Sequence, residues 1–447
     1  EDYFEVPALG QEPTTNWAKN LSAGAQEASE EDPAGTSQTT LGEIALYIFT
    51  SGTTGLPKAA VLSNRRYLTS ADMAAKAGFK CSEKDRMYIC LPLYHGTGLM
   101  VGAGAAMVSG ASMFIRRKFS ASNFLQEVRD EGCTLLVYIG ELCRYLSNSE
   151  AQPDDHKNPL RSMMGNGLRP DVWTGFKKRF GIKRVAEFYG ASEGNVAFAN
   201  LMNRDCTVGM TSAEVALVRY DVDNDEIVRD SAGQCQLVSD GEPGLLLGKI
   251  TEDTVFEGYT DPEATEKKIV RDALETGDAW FNSGDLMRTV DVGFSLGYAH
   301  YQFVDRVGDT FRWKSENVST NEVGEIINGF EQVKFCNVYG VEIPGADGRA
   351  GMAAITLADG VPALDLEAFS AYLQTELPGY AVPVFVRIQP DIDVTGTFKM
   401  VKGDLRKQAY DIRQFDDPVY ALLPGNKAYR AFDLAALETI EGGQAGF

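Results

Sequence analysis

The sequence predicts an α/β protein with a large first domain and a small second one, and three observations support this. Short apolar runs such as Leu135–Ile139 and Val185–Tyr189 alternate with stretches of helical spacing such as Phe124–Glu131, as in α/β folds. A polar segment that contains glycine, Asp305–Asp309, separates this region from a compact tail. The length of 447 residues suits two or three domains.

The predicted elements follow one another in chain order. An acidic, solvated leader comes first, and a region of short strands interrupts the α/β alternation before the joint. The predicted segments are leader 1–41, buried strand Ile44–Phe49, helix Phe124–Glu131, strand Leu135–Ile139, helix Val172–Phe180, strand Val185–Tyr189, short strands over Glu214–Ile250, helix Thr320–Ile327, strands Val333–Val341 and Gly351–Leu357, and helix Leu366–Leu377.

The composition is that of a globular protein with an ample core, at 44% hydrophobic and 23% charged residues. The formal net charge of −21 repels phosphate backbones, so the sequence argues against a nucleic-acid-binding protein. A local basic pocket can still hold a nucleotide.

Cysteine and histidine usage argues against disulfides and a histidine zinc site. The seven cysteines form no CxxC pair, which indicates reduced thiols, most of them in the core. The three histidines, His95, His156 and His300, lie far apart in the sequence.

The segment Gly98–Ile115 carries no charge over eighteen residues, which is the lower limit for a membrane-spanning helix. It consists mostly of Gly, Ala, Ser and Met, so its hydropathy is weak. We therefore favour a packed internal helix that leads into a strand at Ala111–Ile115, with a spanning helix as the minor alternative.

The stretch YIFTSGTTGLPKAAVLSN, Tyr47–Asn64, follows an apolar run with glycines, hydroxyls and one cation, Lys58. Glycine allows close backbone approach, and N–H, O–H and ammonium groups all suit phosphate oxygens. Ala59 follows the lysine, so the spacing is not that of the Walker loop. A glycine-rich turn with a surface lysine is an equally good explanation of this stretch alone.

Four further motifs place polar groups after strands or turns. In EFYGASEGN, Glu193 suits Mg²⁺, which prefers a carboxylate together with substrate phosphates. In FNSGDL, Asp285 can accept two ribose hydroxyls. Arg306 lies in the joint and Lys399 in TGTFK. Taken singly, each is better explained as a loop or surface side chain.

The order and spacing of these motifs resemble the adenylate-forming superfamily of acyl-CoA synthetases, luciferases and peptide-synthetase adenylation domains. Within it, YIFTSGTTGLPKAA, CLPLYH, YIGELCRYL, GNGLR, EFYGASEGN, DRVGDTFRWKSENVST and YGVEIPGADGRAGMAA look like the very-long-chain acyl-CoA synthetase and fatty acid transport protein family. The resemblance runs from about residue 42 to about residue 417.

The resemblance implies the adenylate-forming enzyme fold. A large N-terminal α/β domain, 42–304, would include a small β subdomain and follow the leader 1–41. A hinge, 305–310, would join it to a small C-terminal α+β domain, 311–447. Family members carry a longer segment before the phosphate loop, so we expect this chain to be truncated at its start. We expect it to be less stable and more prone to aggregation than a version with a family-type N-terminal segment.

The implied activity is that of an acid–thiol ligase. It would join long- or very-long-chain fatty acids to coenzyme A through an acyl-adenylate, with ATP, coenzyme A and Mg²⁺, and without nucleic acid. The expected location is cytoplasmic, with peripheral association at the cytoplasmic face of a membrane and a homodimer both left open. Two alternatives stay open: a fatty acid carrier with weak catalysis, and a ligase for another bulky apolar acid such as a steroid acid.

The resemblance also assigns roles to particular residues. The catalytic group would be Lys399, Glu193 and His95. The nucleotide would contact Thr50, Ser51, Gly52, Thr53, Thr54, Gly55, Lys58, Gly165, Asn166, Gly167, Tyr189, Gly190, Ala191, Ser192, Asp285 and Arg306. The metal would lie at Thr50 and Glu193, and coenzyme A at Lys314, Ser315 and Glu316. Tyr138 and Gly140 would form part of the acyl wall, where glycine has no side chain to block an alkyl chain and would leave it an open path.

Three positions depart from the family pattern. Ser192 replaces the frequent threonine at the α-phosphate, and Gly308 replaces an acidic or lysine hinge residue. Ser315 replaces the glycine usual before Glu316 and Asn317, which would narrow the path of the pantetheine arm.

Overall fold

The structure, a computed structural model, describes residues 4–7, 11, 14–31, 33–50, 58–190, 194–222, 224–314, 316–346, 348–391 and 402–447. The chain divides into two compact units, Glu1–Glu43 and Ile44–Phe447. The first unit contains a short parallel pair, β1 (Phe4–Glu5) and β2 (Lys19–Asn20), and the helix α1 (Leu21–Glu27). A 3₁₀ turn covers Thr36–Gln38.

The predicted acidic leader is solvated, as expected, but it is partly helical. All described residues from 21 to 43 are exposed. The helix α1 forms because Asn20 caps its start: the side-chain oxygen accepts a hydrogen bond from the Ala23 N–H at 3.1 Å.

The second unit begins with the hairpin of β3 (Ile44–Thr50) and β4 (Lys58–Ser63). The predicted strand at 44–49 is confirmed, but its predicted burial is wrong. Ile48 is 4% exposed, whereas Tyr47 and Phe49 are 51% and 71% exposed. Within the described residues β3 pairs only with β4, so one face of the strand packs and the other does not.

A six-stranded sheet forms the centre of the large region. Five strands run parallel and β10 runs antiparallel at one edge, in the order β10-β9-β8-β7-β5-β6. Its strands are β5 (Arg86–Ile89), β6 (Ser112–Ile115), β7 (Leu135–Ile139), β8 (Ser162–Asn166), β9 (Arg184–Gly190) and β10 (Ala197–Ala199).

Helices connect these parallel strands, as a parallel sheet requires. The predicted helices at 124–131 and 172–180 are confirmed. The helices of this region are α2 (Asn64–Met73), a π-helix (Ala74–Phe79), a second π-helix (Thr97–Gly104), α3 (Ala105–Ser109), α4 (Phe124–Asp130), α5 (Gly140–Ser147) and α6 (Pro170–Arg179).

The first half of the uncharged segment, residues 98–106, is mostly buried, as favoured, whereas Met107 and Val108 are 66% and 44% exposed before the chain enters β6. A Cβ on Gly102 would lie 3.0 Å from Val137 Cγ1, so small residues let this helix approach β7 closely. In the part of the chain that the structure describes, no helix combines the length and apolarity needed to cross a membrane.

A second sheet follows, in the order β11-β14-β16-β15 with β17 beside β16, and its strand pairs are antiparallel. The short strands predicted over 214–250 are confirmed, although the sheet continues to residue 306. The elements are β11 (Val215–Val218), β12 (Tyr220–Asp221), β13 (Glu226–Ile227), β14 (Gly244–Lys249), α7 (Pro262–Glu266), β15 (Ile269–Arg271), β16 (Ala279–Val290) and β17 (His300–Arg306).

The tail contains a five-stranded sheet in the order β20-β21-β22-β23-β24. All four elements predicted for it are confirmed. Its elements are β18 (Phe311–Trp313), β19 (Glu316–Val318), α8 (Thr320–Asn328), β20 (Val333–Glu342), β21 (Arg349–Leu357), α9 (Leu366–Glu376), β22 (Phe385–Ile388), α10 (Gly403–Gln408), β23 (Val419–Ala421), β24 (Arg430–Ala431) and α11 (Leu434–Glu441).

The seven cysteines are free thiols, and five of them are buried. Burial raises the pKa of the Cys90 thiol to about 12, so this thiol stays protonated and acts as a core residue. The predicted burial of most cysteines is confirmed.

Candidate active site

The strands β5, β7, β8 and β9 run parallel, so their carboxyl ends meet at one edge of the central sheet. Ligands of open α/β sheets bind at this edge. His95 lies in the loop after β5, Gly140 follows β7, Gly167 follows β8 and Gly190 ends β9. The fold therefore brings together four segments in which the sequence predicted site residues.

Thr97 connects two of these segments. Its backbone N–H donates to His95 Nδ1 at 3.3 Å, and its hydroxyl donates to Asn166 Oδ1 at 3.0 Å. Thr97 is 5% exposed, whereas His95 and Asn166 are partly exposed. Sequence analysis missed this residue, although a hydroxyl two positions after His95 was a usable signal.

Tyr189 and Asp285 are in direct contact, although 96 residues separate them. The Tyr189 hydroxyl donates to Asp285 Oδ2 at 2.5 Å. Burial, reinforced by the nearby Asp285 carboxylate, raises the pKa of Tyr189 well above its usual range. The hydroxyl thus stays protonated and remains a donor to the carboxylate.

Arg306 completes this group from the neighbouring strand. It lies opposite Asp285 in the register of β16 and β17, and its Nε is 3.7 Å from Asp285 Oδ1. The Arg306 side chain is 50% exposed and that of Asp285 13%. An aromatic ring, a carboxylate and a guanidinium thus share one location, which suits a base, a ribose and a phosphate respectively.

The glycines of this edge are required by close backbone contact. A Cβ on Gly165 would lie 2.0 Å from the Tyr138 carbonyl oxygen, and a Cβ on Gly140 would lie 1.6 Å from the Gly167 carbonyl oxygen. Gly167 has a φ of +79°, which side chains disfavour. The expectation that Gly140 leaves an open path for an alkyl chain is corrected: the missing Cβ lets two backbones touch.

We predict from this contact that Gly140→Ala destabilises the fold. A methyl group at Gly140 would force the Gly167 backbone to move, and such overpacking costs about 1–3 kcal/mol or more. The check is the thermal unfolding midpoint of the variant. Gly175→Ala is the matched control, because nothing lies within 4 Å of a Cβ at that position. Equal midpoints for both variants would contradict the prediction.

Tyr138 is completely buried, and its hydroxyl donates to the Glu187 carboxylate. Glu187 also accepts the Leu168 N–H at 3.0 Å. Burial raises the pKa of Glu187 to about 8, against an ordinary value of 4.5. Glu187 is not among the site residues predicted from the sequence. Its signal was a carboxylate inside the apolar run Val185–Tyr189.

The raised pKa predicts how stability depends on pH. The folded state keeps the proton of Glu187 up to about pH 8, whereas the unfolded chain loses it near pH 4.5. The contribution of Glu187 to the free energy of unfolding is therefore fully present below pH 4.5 and is lost as the pH rises to 8. We measure the thermal unfolding midpoint of Glu187→Gln minus that of the unmodified chain. This difference should increase from pH 5 to pH 8, because only the unmodified chain loses stability there, and should then level off. A constant difference would contradict this.

The predicted hinge is tied to the start of α8. Asp305 is 1% exposed and accepts hydrogen bonds from the Thr320 N–H at 2.5 Å and the Asn321 side-chain amide at 3.0 Å. Lys402 Nζ donates to the Thr320 hydroxyl at 2.9 Å and lies 3.5 Å from Asp309 Oδ2. These contacts join the predicted hinge to two segments of the tail.

The residues expected on the coenzyme A side lie elsewhere. Lys314 and Glu316 are exposed at the tip of the hairpin of β18 and β19. This hairpin packs against β20 and β21 of the tail. The structure groups them with the tail sheet and does not bring them to the edge that holds His95 and Asn166.

Several predicted residues lie outside the described ones, and their roles stay predictions. The backbones of Thr50 and Lys58 are paired across β3 and β4, which lead into and out of the predicted phosphate loop. Outside the described residues, or described without side chains, are Thr50, Ser51, Gly52, Thr53, Thr54, Gly55, Lys58, Ala191, Ser192, Glu193, Ser315 and Lys399. Among the described residues, no three His, Cys, Asp or Glu side chains are placed to hold a metal ion.

Comparison with known proteins gives one consistent result. Residues 7–260 match the AMP-binding enzyme family, and residues 322–399 match the AMP-binding enzyme C-terminal domain. The chain is 46% identical over 91% of its length to the medium/long-chain-fatty-acid–CoA ligase FadD6 of Mycobacterium tuberculosis. It is 42% identical over 86% of its length to long-chain fatty acid transport protein 5 of Mus musculus. The chain spans 66% and 55% of the lengths of these two relatives.

Solved structures support the fold. ATP-bound MatB from Rhodopseudomonas palustris superimposes with a TM-score of 0.70 at 23% identity, over 89% of this chain and 74% of that one. The anthranilate CoA ligase AuaEII in complex with anthranoyl-AMP gives 0.70 at 21% identity, over 91% and 74%. The predicted fold, a large N-terminal and a small C-terminal domain of mixed α/β structure, is confirmed.

Proposed function

Because the chain belongs to the AMP-binding enzyme family, we propose that it joins long- or very-long-chain fatty acids to coenzyme A in two steps. In the first, a carboxylate oxygen of the fatty acid attacks the α-phosphorus of ATP, and the bond to the β-phosphate breaks to release diphosphate. In the second, the thiol of coenzyme A attacks the acyl carbonyl carbon, and AMP leaves.

The observation that carries this proposal is the contact between Tyr189 and Asp285, with Arg306 beside it. Asp285 has two oxygens, so it can accept ribose hydroxyls while it accepts the Tyr189 hydroxyl at 2.5 Å. The ring of Tyr189 would line the adenine together with Gly165–Gly167. Arg306, 3.7 Å from the same carboxylate, would add positive charge beside the ribose and α-phosphate.

The remaining groups would act on the phosphates and the acid. Thr50–Lys58 would hold the β- and γ-phosphates, and Ser192 would contact the α-phosphate. Lys399 would bridge the carboxylate and the α-phosphate, where two anions must meet. A donor set of Glu193, the Thr50 hydroxyl and ATP phosphates is the oxygen set that Mg²⁺ prefers, and the bound ion would offset phosphate charge.

A domain motion would separate the two steps. We infer that the region 42–304 holds the nucleotide and that 305–310 is the hinge for the tail 311–447. A turn about this hinge would withdraw Lys399 and present Lys314, Ser315 and Glu316 to the pantetheine arm. The hydrogen bonds between Asp305 and α8 would have to rearrange during that turn.

His95 would lie between the acyl and thiol paths and orient the reacting groups. Its link to Asn166 through Thr97 supports this place, because it ties the histidine loop to the adenine loop. Tyr138 and Gly140 stay assigned to the acyl wall as a prediction, although the side-chain space at Gly140 is filled by backbone.

The location belongs to the proposal as well. Relatives are named long-chain fatty acid transport proteins, so we infer a cytoplasmic protein that meets its acid at a membrane surface. Sedimentation with vesicles, with and without fatty acid, tests this association. A chain that stays in the supernatant under both conditions contradicts it.

The function is tested by a panel of carboxylic acids scored for AMP formation with and without coenzyme A. The proposal predicts AMP and acyl-CoA with long-chain fatty acids. If a steroid acid were the preferred substrate, the alternative of a ligase for another bulky apolar acid would be favoured. Tight fatty acid binding without AMP formation would favour a carrier and overturn the proposal.

A further inference from the structure

Three neighbouring strands place Tyr138, Gly165 and Glu187 side by side. Tyr138 on β7 is the register partner of Gly165 on β8, and Gly165 is the partner of Glu187 on β9. Partners in a parallel sheet point to the same face. The side chains of Tyr138 and Glu187 therefore meet over Gly165, and the Tyr138 hydroxyl donates to the Glu187 carboxylate there.

Gly165 is what makes this bridge possible. A Cβ at this position would lie 2.7 Å from Tyr138 Cγ and 2.0 Å from the Tyr138 carbonyl oxygen. Asn166 ends β8 and Gly167 follows the strand, and together with Gly165 they form the loop proposed to line the adenine. The bridge thus crosses β8 at the first residue of that loop.

Glu187 also holds the other end of the same loop. Its second oxygen, Oε1, accepts the Leu168 N–H at 3.0 Å, and Leu168 directly follows Gly167. Glu187 is 2% exposed, and a buried carboxyl group is costly unless it is hydrogen-bonded. An apolar residue would fill this space at lower cost, but it would fix neither the hydroxyl of Tyr138 nor the backbone after Gly167.

We propose that Glu187 is a positioning residue for ATP, which fixes the loop Gly165–Gly167 from both of its ends so that the adenine can bind against it. The inference rests on the proposed function in one respect, namely that ATP binds at this edge of the sheet. Glu187 need not touch the nucleotide, because it acts through its hydrogen bonds with Leu168 and Tyr138.

The test compares three variants by the KM for ATP, the KM for fatty acid, and direct binding of ATP by calorimetry. Glu187→Gln should stay within about threefold of the unmodified chain, because its amide oxygen can accept from Leu168 and its amide nitrogen can donate to the Tyr138 oxygen. Glu187→Ala should raise the KM and Kd for ATP at least tenfold and leave the KM for fatty acid unchanged, since small displacements of a binding loop have large effects.

Tyr138→Phe covers the case in which Glu187→Ala does not fold. It removes only the hydroxyl, keeps the Leu168 bond, and should weaken ATP binding by about threefold, a loss set by one hydrogen bond. An unchanged ATP affinity in Tyr138→Phe, or in a folded Glu187→Ala, overturns the proposal.

Asp85→Ala is the matched control for stability. Asp85 is 5% exposed, precedes β5 at the opposite edge of the same sheet, and accepts from Arg161 at 2.6 Å and Thr134 at 2.7 Å. It should lower the unfolding midpoint without changing the Kd for ATP. An equal rise in the Kd for ATP in Asp85→Ala and Glu187→Ala would overturn the positioning role, because lost stability would then be enough to explain the weaker ATP binding.

The two proposals fail in different ways. If the unmodified chain binds ATP but forms no AMP with any fatty acid, the proposed function fails, and the calorimetric comparison still decides the role of Glu187. If ATP binding is normal in Glu187→Ala while fatty acid turnover is intact in the unmodified chain, only the positioning role fails.

Discussion

Replacing Lys399 with alanine is expected to lower the rate of acyl-adenylate formation by about a thousandfold, the upper range for removal of one preorganised charged donor. The carboxylate and the α-phosphate are both anionic, so the ammonium group is needed when they meet. Once the adenylate exists, that repulsion is gone. The rate of thioester formation from supplied acyl-adenylate and coenzyme A should therefore stay near normal.

The measurement is a pair of half-reaction assays on the same protein sample. Lys407→Ala is the control, because Lys407 is an 81% exposed lysine of the same tail whose Nζ lies 3.6 Å from Asp404. It should leave both half-reactions unchanged. If Lys399→Ala slowed both half-reactions equally, Lys399 would not have the role proposed for it.

The second large effect is expected at Asp285. Asp285→Ala should raise the KM for ATP about a hundredfold, because it removes the proposed acceptor of the ribose hydroxyls, and hydrogen bonds to charged groups contribute about 1.5–3 kcal/mol each. It also takes away the acceptor of the Tyr189 hydroxyl, which lies 2.5 Å from Asp285 Oδ2. The KM for the fatty acid should not change.

Asp291→Ala controls for the loss of an aspartate near the same strand. Asp291 is exposed directly after β16, where it accepts the Gly293 N–H at 2.8 Å. Steady-state kinetics with varied ATP should show a normal KM for this variant. An ATP-independent loss of kcat in Asp285→Ala, without a change in KM, would remove Asp285 from the ribose site.

Much of the fold is readable from local sequence pattern. The strands at 135–139 and 185–189 lie in a parallel sheet that is covered by helices, so they read as continuous apolar runs. The amphipathic helix at 320–328 starts at Ser319, whose hydroxyl accepts the Glu322 N–H at 3.3 Å. Such elements carry their signals within a few residues.

The errors come from contacts between distant segments. The run at 44–49 has the composition of a buried strand, yet Phe49 is 71% exposed because within the described residues β3 pairs only with β4. From the sequence, Gly140 is expected to leave an open path, whereas the structure has a close backbone contact there. Only the position of the Gly167 backbone, 27 residues later, distinguishes them.

The candidate site was only partly predictable, because its residues are recognised from local motifs but meet through contacts between distant segments. Tyr189, Asp285 and Arg306 were named from their motifs, but their mutual contact depends on the pairing of β16 with β17 and on the approach of β9. Thr97 and Glu187 were not predicted, and each is hydrogen-bonded to the segment that contains the predicted residues Asn166 and Gly167. Their importance lies in hydrogen bonds to Asn166 and Leu168, which no local pattern reveals.

ATP–diphosphate exchange in the absence of coenzyme A measures the proposed activation of fatty acids as adenylates, separately from thioester formation. Labelled diphosphate is incubated with the protein, ATP, Mg²⁺ and a saturated long-chain fatty acid, and label in ATP is measured against a blank without acid. We expect exchange that requires the fatty acid and is lost in Lys399→Ala. Folded protein that binds ATP and fatty acid but shows no exchange above the blank would contradict the proposed activation.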